Sequence, residues 1–412
     1  MNRNVFLYLG LFLLLAACET TQNTTVHNYA YLYKKESCIF KPEFSIQHLS
    51  DDSSRVLIHF NTSDLTPVSD TVPLVSFTLG YSILNNLDGE KIMDSLTWGS
   101  FSVPQGQSLQ YAFKVPLHKG SPVFQLRIRD LNKKVTYSSF QQVNKVNTNT
   151  RQFFYINRSQ QALASNYITK DAFLKVSHCY YPAKRLTVKC FFRNFEPADP
   201  PFSMDHESNF NHKADSIFSL NDPQIDSFPI KKAGFYHIQS DPALKEGLTV
   251  FRFYEEFPYI DNSSQMIQPL RYITSRKEFE ELQKNPDPRK ALEKFWLEMG
   301  QNTDRSRELI RQYYSRVVET NRLFSSYKEG WKTDRGMIYI VYGAPNVVYR
   351  SPGAEDWIYG EPGSMLSNTF TFIKEENPFT DNDYILSRTP VYQNNWYNAI
   401  DIWRHGRAYN NN

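Results

Sequence analysis

Residues 329–337 read EGWKTDRGM. Lys332, Asp334 and Arg335 are the residue types that acid–base work requires, with Asp334 moving the proton and the two cations stabilising charge, provided a cleft gathers them and shifts their pKa values. The same letters also describe a structural corner. Gly330 suits a left-handed helix cap, Trp331 suits the apolar contact that such caps carry, and Thr333 and Asp334 can bond neighbouring backbone amides. Arg335 can then pair with Asp334 or Glu329, while Gly336 admits a tight entry into the next element. Because this account uses nearly every letter, the segment is expected to be architecture with no catalytic residue.

Two other sets contain suitable groups. Asp205, His206, His212 and Asp215 are metal-ligand types, but their spacing matches no metal-site pattern and a solvated loop explains them. Glu355, Asp356 and Glu361 flank Trp357, as a glycosidase pair beside a sugar-stacking aromatic would. Glycoside hydrolysis needs carboxyls held about 5 Å or about 6.5–9.5 Å apart, which neighbouring positions on a strand do not supply. Gly-x-Ser-x-Gly, His-Glu-x-x-His and phosphate-loop motifs are missing from the sequence, so no cofactor and no metal are expected.

The elements around the corner are legible. Asp287-Pro288 opens a helix with Ala291, Leu292, Phe295, Trp296 and Met299 on one face and Gly300 at its end. A second helix starts near Asp304 with the stripe Ile310, Tyr313, Val317, Phe324 and Tyr327, for which Gly330 is the natural stop. Met337-Ile-Tyr-Ile-Val-Tyr is apolar on both faces and predicts a central buried strand. Strands at 356–359 and 367–374 and a helix from about Gln393 to His405 complete an α+β module over 269–412.

The front of the chain is β-rich. Alternating runs such as Arg55–Phe60, Val75–Tyr81, Leu109–Val115 and Val123–Arg129 predict an Ig-like sandwich over 36–148, and Ala172–Val176, Leu186–Phe192 and Leu248–Tyr254 predict a second Ig-like sandwich over 149–268. The long polar stretch 196–216 is expected to be functional or mobile, and to serve with the edge strands as a partner surface. In CYYPAKRLTVKC a turn over Ala183–Leu186 would set Cys179 across from Cys190, whereas a one-residue shift would separate them. Cys38 has no visible partner. With a net charge of +3, nothing suggests nucleic acid.

Val5–Leu15 is an unbroken apolar run of eleven residues, too short to span a bilayer but suited to a secretory signal. Leu15-Ala16-Ala17-Cys18 follows and resembles the bacterial lipobox, which implies a signal peptide over 1–17 and acyl chains on Cys18. Glu19 at the next position favours the outer membrane by resemblance to lipoprotein sorting rules. Residues 18–35 read as a lipidated tether lifting the first module off the membrane.

Gly330-Trp331-Lys332-Thr333-Asp334 matches the GWxTD signature, and Arg335–Pro345 and Glu355-Asp-Trp-Ile-Tyr resemble its downstream segments. The last 140 or so residues thus resemble the GWxTD family, envelope proteins of Bacteroidota and related phyla that are often lipoproteins. The resemblance implies no catalytic residues. Asp70-Thr71-Val72, Asp94-Ser95-Leu96 and Asp215-Ser216-Ile217 look like Bacteroidota O-glycosylation acceptors, at Thr71, Ser95 and Ser216. The expected function is a non-catalytic interaction subunit of an envelope assembly or secretion complex, docked to an integral outer-membrane protein or other lipoproteins. The alternative is a glycan binder or glycan-acting enzyme using Trp331, Trp357 or Trp396 as stacking platforms.

Overall fold

The computed structural model describes residues 27–35, 40–50, 53–69, 71–86, 91–116, 122–143, 150–158, 161–178, 185–204, 212–221, 226–365 and 367–409. Cys18, Cys38, Cys179, Asp205 and His206 lie outside them.

Two all-β modules precede an α+β module. The first holds β1 (Glu43–His48), β2 (Ser53–Asn61), β3 (Pro67–Ser69), β4 (Val72–Leu84), β5 (Ile92–Pro104), β6 (Ser108–Pro116), β7 (Val123–Asp130) and β8 (Val135–Gln142). One sheet runs β1-β2-β6 and the other β3-β4-β7-β8, with β5 also paired to β4. Alternation decides which side chains face inward. Val56, Ile58 and Phe60 of β2, Phe77, Leu79 and Tyr81 of β4, and Phe124, Leu126 and Ile128 of β7 share one core.

The second module holds β9 (Phe154–Arg158), β10 (Gln161–Ala162), β11 (Tyr167–Ile168), β12 (Ala172–His178), β13 (Leu186–Phe191), β14 (Ser216–Leu220), β15 (Phe228–Ile230), β16 (Gly234–Gln239) and β17 (Leu248–Arg252). Its sheets run β10-β9-β12-β15 and β11-β17-β16-β13-β14. The expected hairpin between β12 and β13 does not form, because the two strands belong to different sheets and β13 is flanked by β14 and β16. Cys190 registers with Ser216 and Tyr236 and is a buried free thiol. Burial and, after it, the Asp215 charge push that thiol up to about 11.

The third module begins with α1 (Ser263–Ile267), α2 (Arg276–Lys284), α3 (Pro288–Gly300) and α4 (Thr303–Phe324). Asp287 caps α3 with proline at its first position, as the sequence predicts. α4 stops at Phe324, five residues before Glu329, so Gly330 is not its cap. Instead Gly330–Lys332 form a short 3-10 turn laid across α4. The expected strand over Met337–Tyr342 is a helix, α5 (Asp334–Tyr342), with every residue buried. An apolar run without periodicity fits a buried helix as well as a buried strand. The Thr333 hydroxyl decides between them by accepting the Gly336 N–H at 3.0 Å, which starts helical turns. An antiparallel sheet, β18 (Val347–Ser351), β19 (Ala354–Tyr359), β20 (Asn368–Lys374) and β21 (Tyr384–Leu386), and a last helix α6 (Tyr392–Arg404) enclose α5.

Two connections depart from expectation. The start of the 196–216 stretch is docked on the third module: Ala198 is buried there, its N–H donates to the Lys332 carbonyl at 2.9 Å, and Phe202 meets Tyr397. This hydrogen bond ties the start of the stretch to the corner, while Glu196, Pro200 and Met204 stay exposed and residues 205–211 lie outside the described ones. The end of the supposed tether is also docked, since Tyr29, Ala30 and Tyr33 are buried in the third module's core. Aromatic side chains at that spacing bury apolar area that a solvated spacer would leave in water. Phe191, Phe235 and Phe251 of the second module meanwhile cluster with Phe379 of the third.

Candidate functional site: the buried corner and its neighbouring groove

Close backbone approach explains both glycines of the corner. A Cβ on Gly330 would stand 1.8 Å from the Thr320 carbonyl oxygen of α4, and one on Gly336 would stand 1.9 Å from the Gly330 oxygen. With no side chains in the way, the 3-10 turn lies on α4 and α5 starts beneath it. Trp331 fills the angle, 5 % exposed, with its N–H on Asn321 Oδ1 at 3.3 Å and its carbonyl accepting from the Tyr272 hydroxyl at 2.9 Å. Thr333 closes the turn by donating to the Gly330 oxygen at 2.7 Å.

The charged residues of the corner have assigned partners, though different ones from those the sequence suggests. Asp334 accepts the Leu386 N–H of β21 at 2.8 Å, a distant amide, and pairs with Arg388 through both carboxylate oxygens. Its position in the first turn of α5 also sets a negative charge at the positive end of the helix dipole. Arg335 turns away from Asp334 and Glu329 to Glu355, at 3.4 Å, and to Asn382. Its guanidinium also sits 3.9 Å from the Tyr384 ring centroid, within cation–π range. Lys332 pairs with Glu329 at 3.0 Å and reaches Asn194 at 3.2 Å.

Glu355 is the centre of this network and is fully buried. Its Oε2 accepts the Tyr33 hydroxyl at 2.8 Å and the Trp357 indole N–H at 3.2 Å, and its Oε1 lies 2.9 Å from Arg350 Nε. Burial alone would raise this carboxyl, but Arg350, then Arg335 and the two hydrogen bonds, hold it below the usual carboxylate range. Glu355 is thus a structural anion caged by two guanidinium groups. Its neighbour Asp356 accepts from Thr371 at 2.6 Å on the other face, and Glu361 is exposed, so the three carboxyls do not converge.

Residues 234–405 match the GWxTD domain family. The matched span includes β16 and β17 of the second module as well as the third module. No curated protein matches the chain. The solved structures that align with it include a calcium-binding mutant of Bacteroides uniformis beta-glucuronidase 2 and a Bacteroides uniformis beta-glucuronidase. Each is 12% identical over 28% of this chain and 14% or 13% of its own, with a TM-score of 0.20. This chain therefore spans about a seventh of those enzymes, and so low a score carries no argument.

Beside the GWxTD corner runs a groove of about 490 Å³ whose walls include Trp331, Lys332, Glu329, Arg271, Phe279 and Tyr254. The paired Lys332 and Glu329 both line it. Trp331 lines it but is 5 % exposed, and Trp357 and Trp396 are 0 % and 2 % exposed. None of the three indoles offers the open face that sugar stacking needs, and the proposed platforms are corrected on that ground. Elsewhere, His212 lies against Phe379 and Asp215 serves Phe192 N–H and Arg193, so these two have separate roles. Thr71, Ser95 and Ser216 are all exposed, Ser95 on β5 and Ser216 at the start of edge strand β14.

The residues that sequence reasoning missed are Arg350, Arg388, Asn321 and Asn382. Asn382 donates to the Leu323 and Ser325 carbonyls at 3.1 and 3.0 Å, closing the end of α4 and fixing Arg335 beside it. Arg388 and Asn382 act on residues about 50 positions back in the chain, so nothing local marks them, whereas Arg350 faces Glu355 across the β18–β19 hairpin and a cross-strand register would have paired the two.

Proposed function

We propose that the protein is an outer-membrane lipoprotein, acylated at Cys18, that acts as a non-catalytic interaction subunit of an envelope assembly or secretion complex. The observation that carries the non-catalytic reading is the state of the corner. Asp334, Arg335 and Lys332 are each committed to an internal partner instead of meeting in an open cleft. An acid or base at work needs a free lone pair or proton facing substrate, and here those atoms hold the fold together.

Support for anchoring comes from the sequence, through Val5–Leu15 and Leu15-Ala16-Ala17-Cys18. Among the described residues, no helix is long and apolar enough to cross a membrane. Support for docking comes from the first module, where β5 pairs with β4 and no other strand among the described residues. Val68, Val72 and Leu74 are exposed near one end of that ribbon and Ile92, Met93 and Leu96 near the other. A long edge strand with apolar side chains is a natural place for a partner strand to add.

The test is a tagged full-length chain, purified after gentle solubilisation, with everything that accompanies it identified. An integral outer-membrane protein should co-purify, and Cys18→Ala should move the chain out of the membrane fraction. Turnover of an envelope glycan that Asp334→Asn or Glu355→Gln abolishes, in a variant that melts normally, would overturn the reading.

A further inference from the structure

The segment Asn28–Tyr33 meets the GWxTD region as a bound peptide would. Its backbone runs along the free side of β18: the Tyr29 N–H donates to the Val348 carbonyl at 2.8 Å, and Asn28 Oδ1 accepts the Val348 N–H at 3.0 Å. The same Asn28 oxygen accepts the Ala30 N–H at 2.9 Å, which bends the segment inward. Ala30 is 2 % exposed, so its side chain fills a place with little room to spare. Tyr33 is the anchor, with its ring 4.9 Å from Trp357 and 5.8 Å from Phe324. Its hydroxyl ends on Glu355, and its carbonyl lies 2.9 Å from the Tyr339 hydroxyl.

On one side of this contact the chain returns to solvent, with Lys34 and Lys35 exposed. Beyond them Phe40 belongs to the core of the first module. The docked segment is therefore covalently joined to a different module from the one that receives it. Its binding place is also organised without it, since Arg335, Arg350 and Trp357 hold Glu355 from the GWxTD side. A pre-oriented acceptor that awaits one donor is how a receptor site discriminates tyrosine from phenylalanine.

We propose that the GWxTD region carries a preformed peptide-binding site that recognises asparagine, alanine and tyrosine at the spacing of Asn28, Ala30 and Tyr33. In the intact chain its own N-terminal segment fills the site in cis, and the same sequence supplied in trans exchanges with it. The short link to the first module keeps the cis segment at a high effective concentration, so the site is closed to competitors unless the segment is weakened.

The experiment uses the full chain with Tyr33→Ala and a synthetic peptide covering residues 27–35. The variant should fold with a lowered Tm, and millimolar peptide should restore it. The peptide carrying phenylalanine in place of Tyr33 should bind about 10- to 100-fold more weakly, the range expected for a lost hydrogen bond to a charged group. Wild-type chain should bind the peptide at least about tenfold more weakly than the variant, because its site is occupied. A variant that fails to fold, or whose Tm the peptide does not move, would show the segment to be an inseparable part of the core and overturn the proposal. Equal binding of the tyrosine and phenylalanine peptides would remove Glu355 as the basis of recognition.

Discussion

The hydroxyl of Tyr33 lies 2.8 Å from Oε2 of Glu355, across a separation of 322 residues in the chain. That carboxylate is also the partner of Arg335, the residue that follows the GWxTD letters. The N-terminal segment and the corner therefore share one buried anion, and a change at either is felt by the other.

Replacing Glu355 with glutamine keeps the shape but leaves Arg335 and Arg350 without their counter-ion in the interior. Breaking a buried pair in this way costs about 3–5 kcal/mol. Urea unfolding of Glu355→Gln should show a loss of that order, and a loss under about 1 kcal/mol would mean the two arginines find water instead.

At Gly330 the prediction is steric. The methyl of Gly330→Ala would meet the Thr320 oxygen at 1.8 Å, so the 3-10 turn must lift off α4 and Trp331 must move with it. Overpacking of this kind costs about 1–3 kcal/mol or more. Trp331 emission should shift to the red along with the lowered midpoint. An alanine variant as stable as the parent would place the turn further from α4 than the structure has it.

His237 gives a pH dependence in acid. Its Nδ1 faces the Thr249 hydroxyl at 2.9 Å and its Nε2 the Lys245 carbonyl at 2.9 Å, an arrangement that suits the neutral ring. Burial is the main cause that lowers its pKa from 6.5 to about 4. The folded state thus binds the proton less readily than the unfolded chain, so the contribution is complete above pH 6.5 and is lost progressively as pH falls toward 4. By linkage the shift is worth about 3 kcal/mol. Midpoints measured at pH 7, 5.5 and 4 should fall in that order, and His237→Gln should flatten the slope between 6.5 and 4.

Glu319 acts in the opposite sense. Burial raises its pKa, outweighing the hydrogen bond from Tyr339 and the Arg316 charge. A raised carboxyl favours the folded state below the unfolded value near 4.5, and that advantage disappears as pH rises through the folded value. The neutral acid can also donate to the Tyr339 hydroxyl oxygen, which lies 2.8 Å away, and so free that hydroxyl to serve the Tyr33 carbonyl. Glu319→Gln should be at least as stable as the parent at pH 8 and should lose this part of the pH dependence. Marked destabilisation at pH 8 would show that the charge is needed.

Local chemistry was legible in the sequence and long-range chemistry was not. Asp287-Pro288 announced α3, and the alternating runs of the first module fell within β2, β4, β6 and β7, because these signals act within a few residues. Met337–Tyr342 misled because burial on all sides removes the periodicity that separates helix from strand. Thr333 followed by Asp334 was the available clue, an N-cap with an acid in the first turn. Arg335 chose Glu355 over its near neighbours Asp334 and Glu329, a choice that depends on how β19 packs against α5. The docking of Tyr33 left no local trace, since a tyrosine-rich polar stretch looks the same whether or not a cage for it exists 322 residues on.

The seam between Asn28–Tyr33 and the sheet of β18 and β19 also orders events during synthesis. Tyr33 emerges from the ribosome early and has no cage to enter until Glu355 has followed it. At roughly 5–20 residues per second that wait is on the order of tens of seconds. Throughout it, three aromatic rings at the start of the chain remain uncovered and open to any chaperone that meets an incomplete polypeptide.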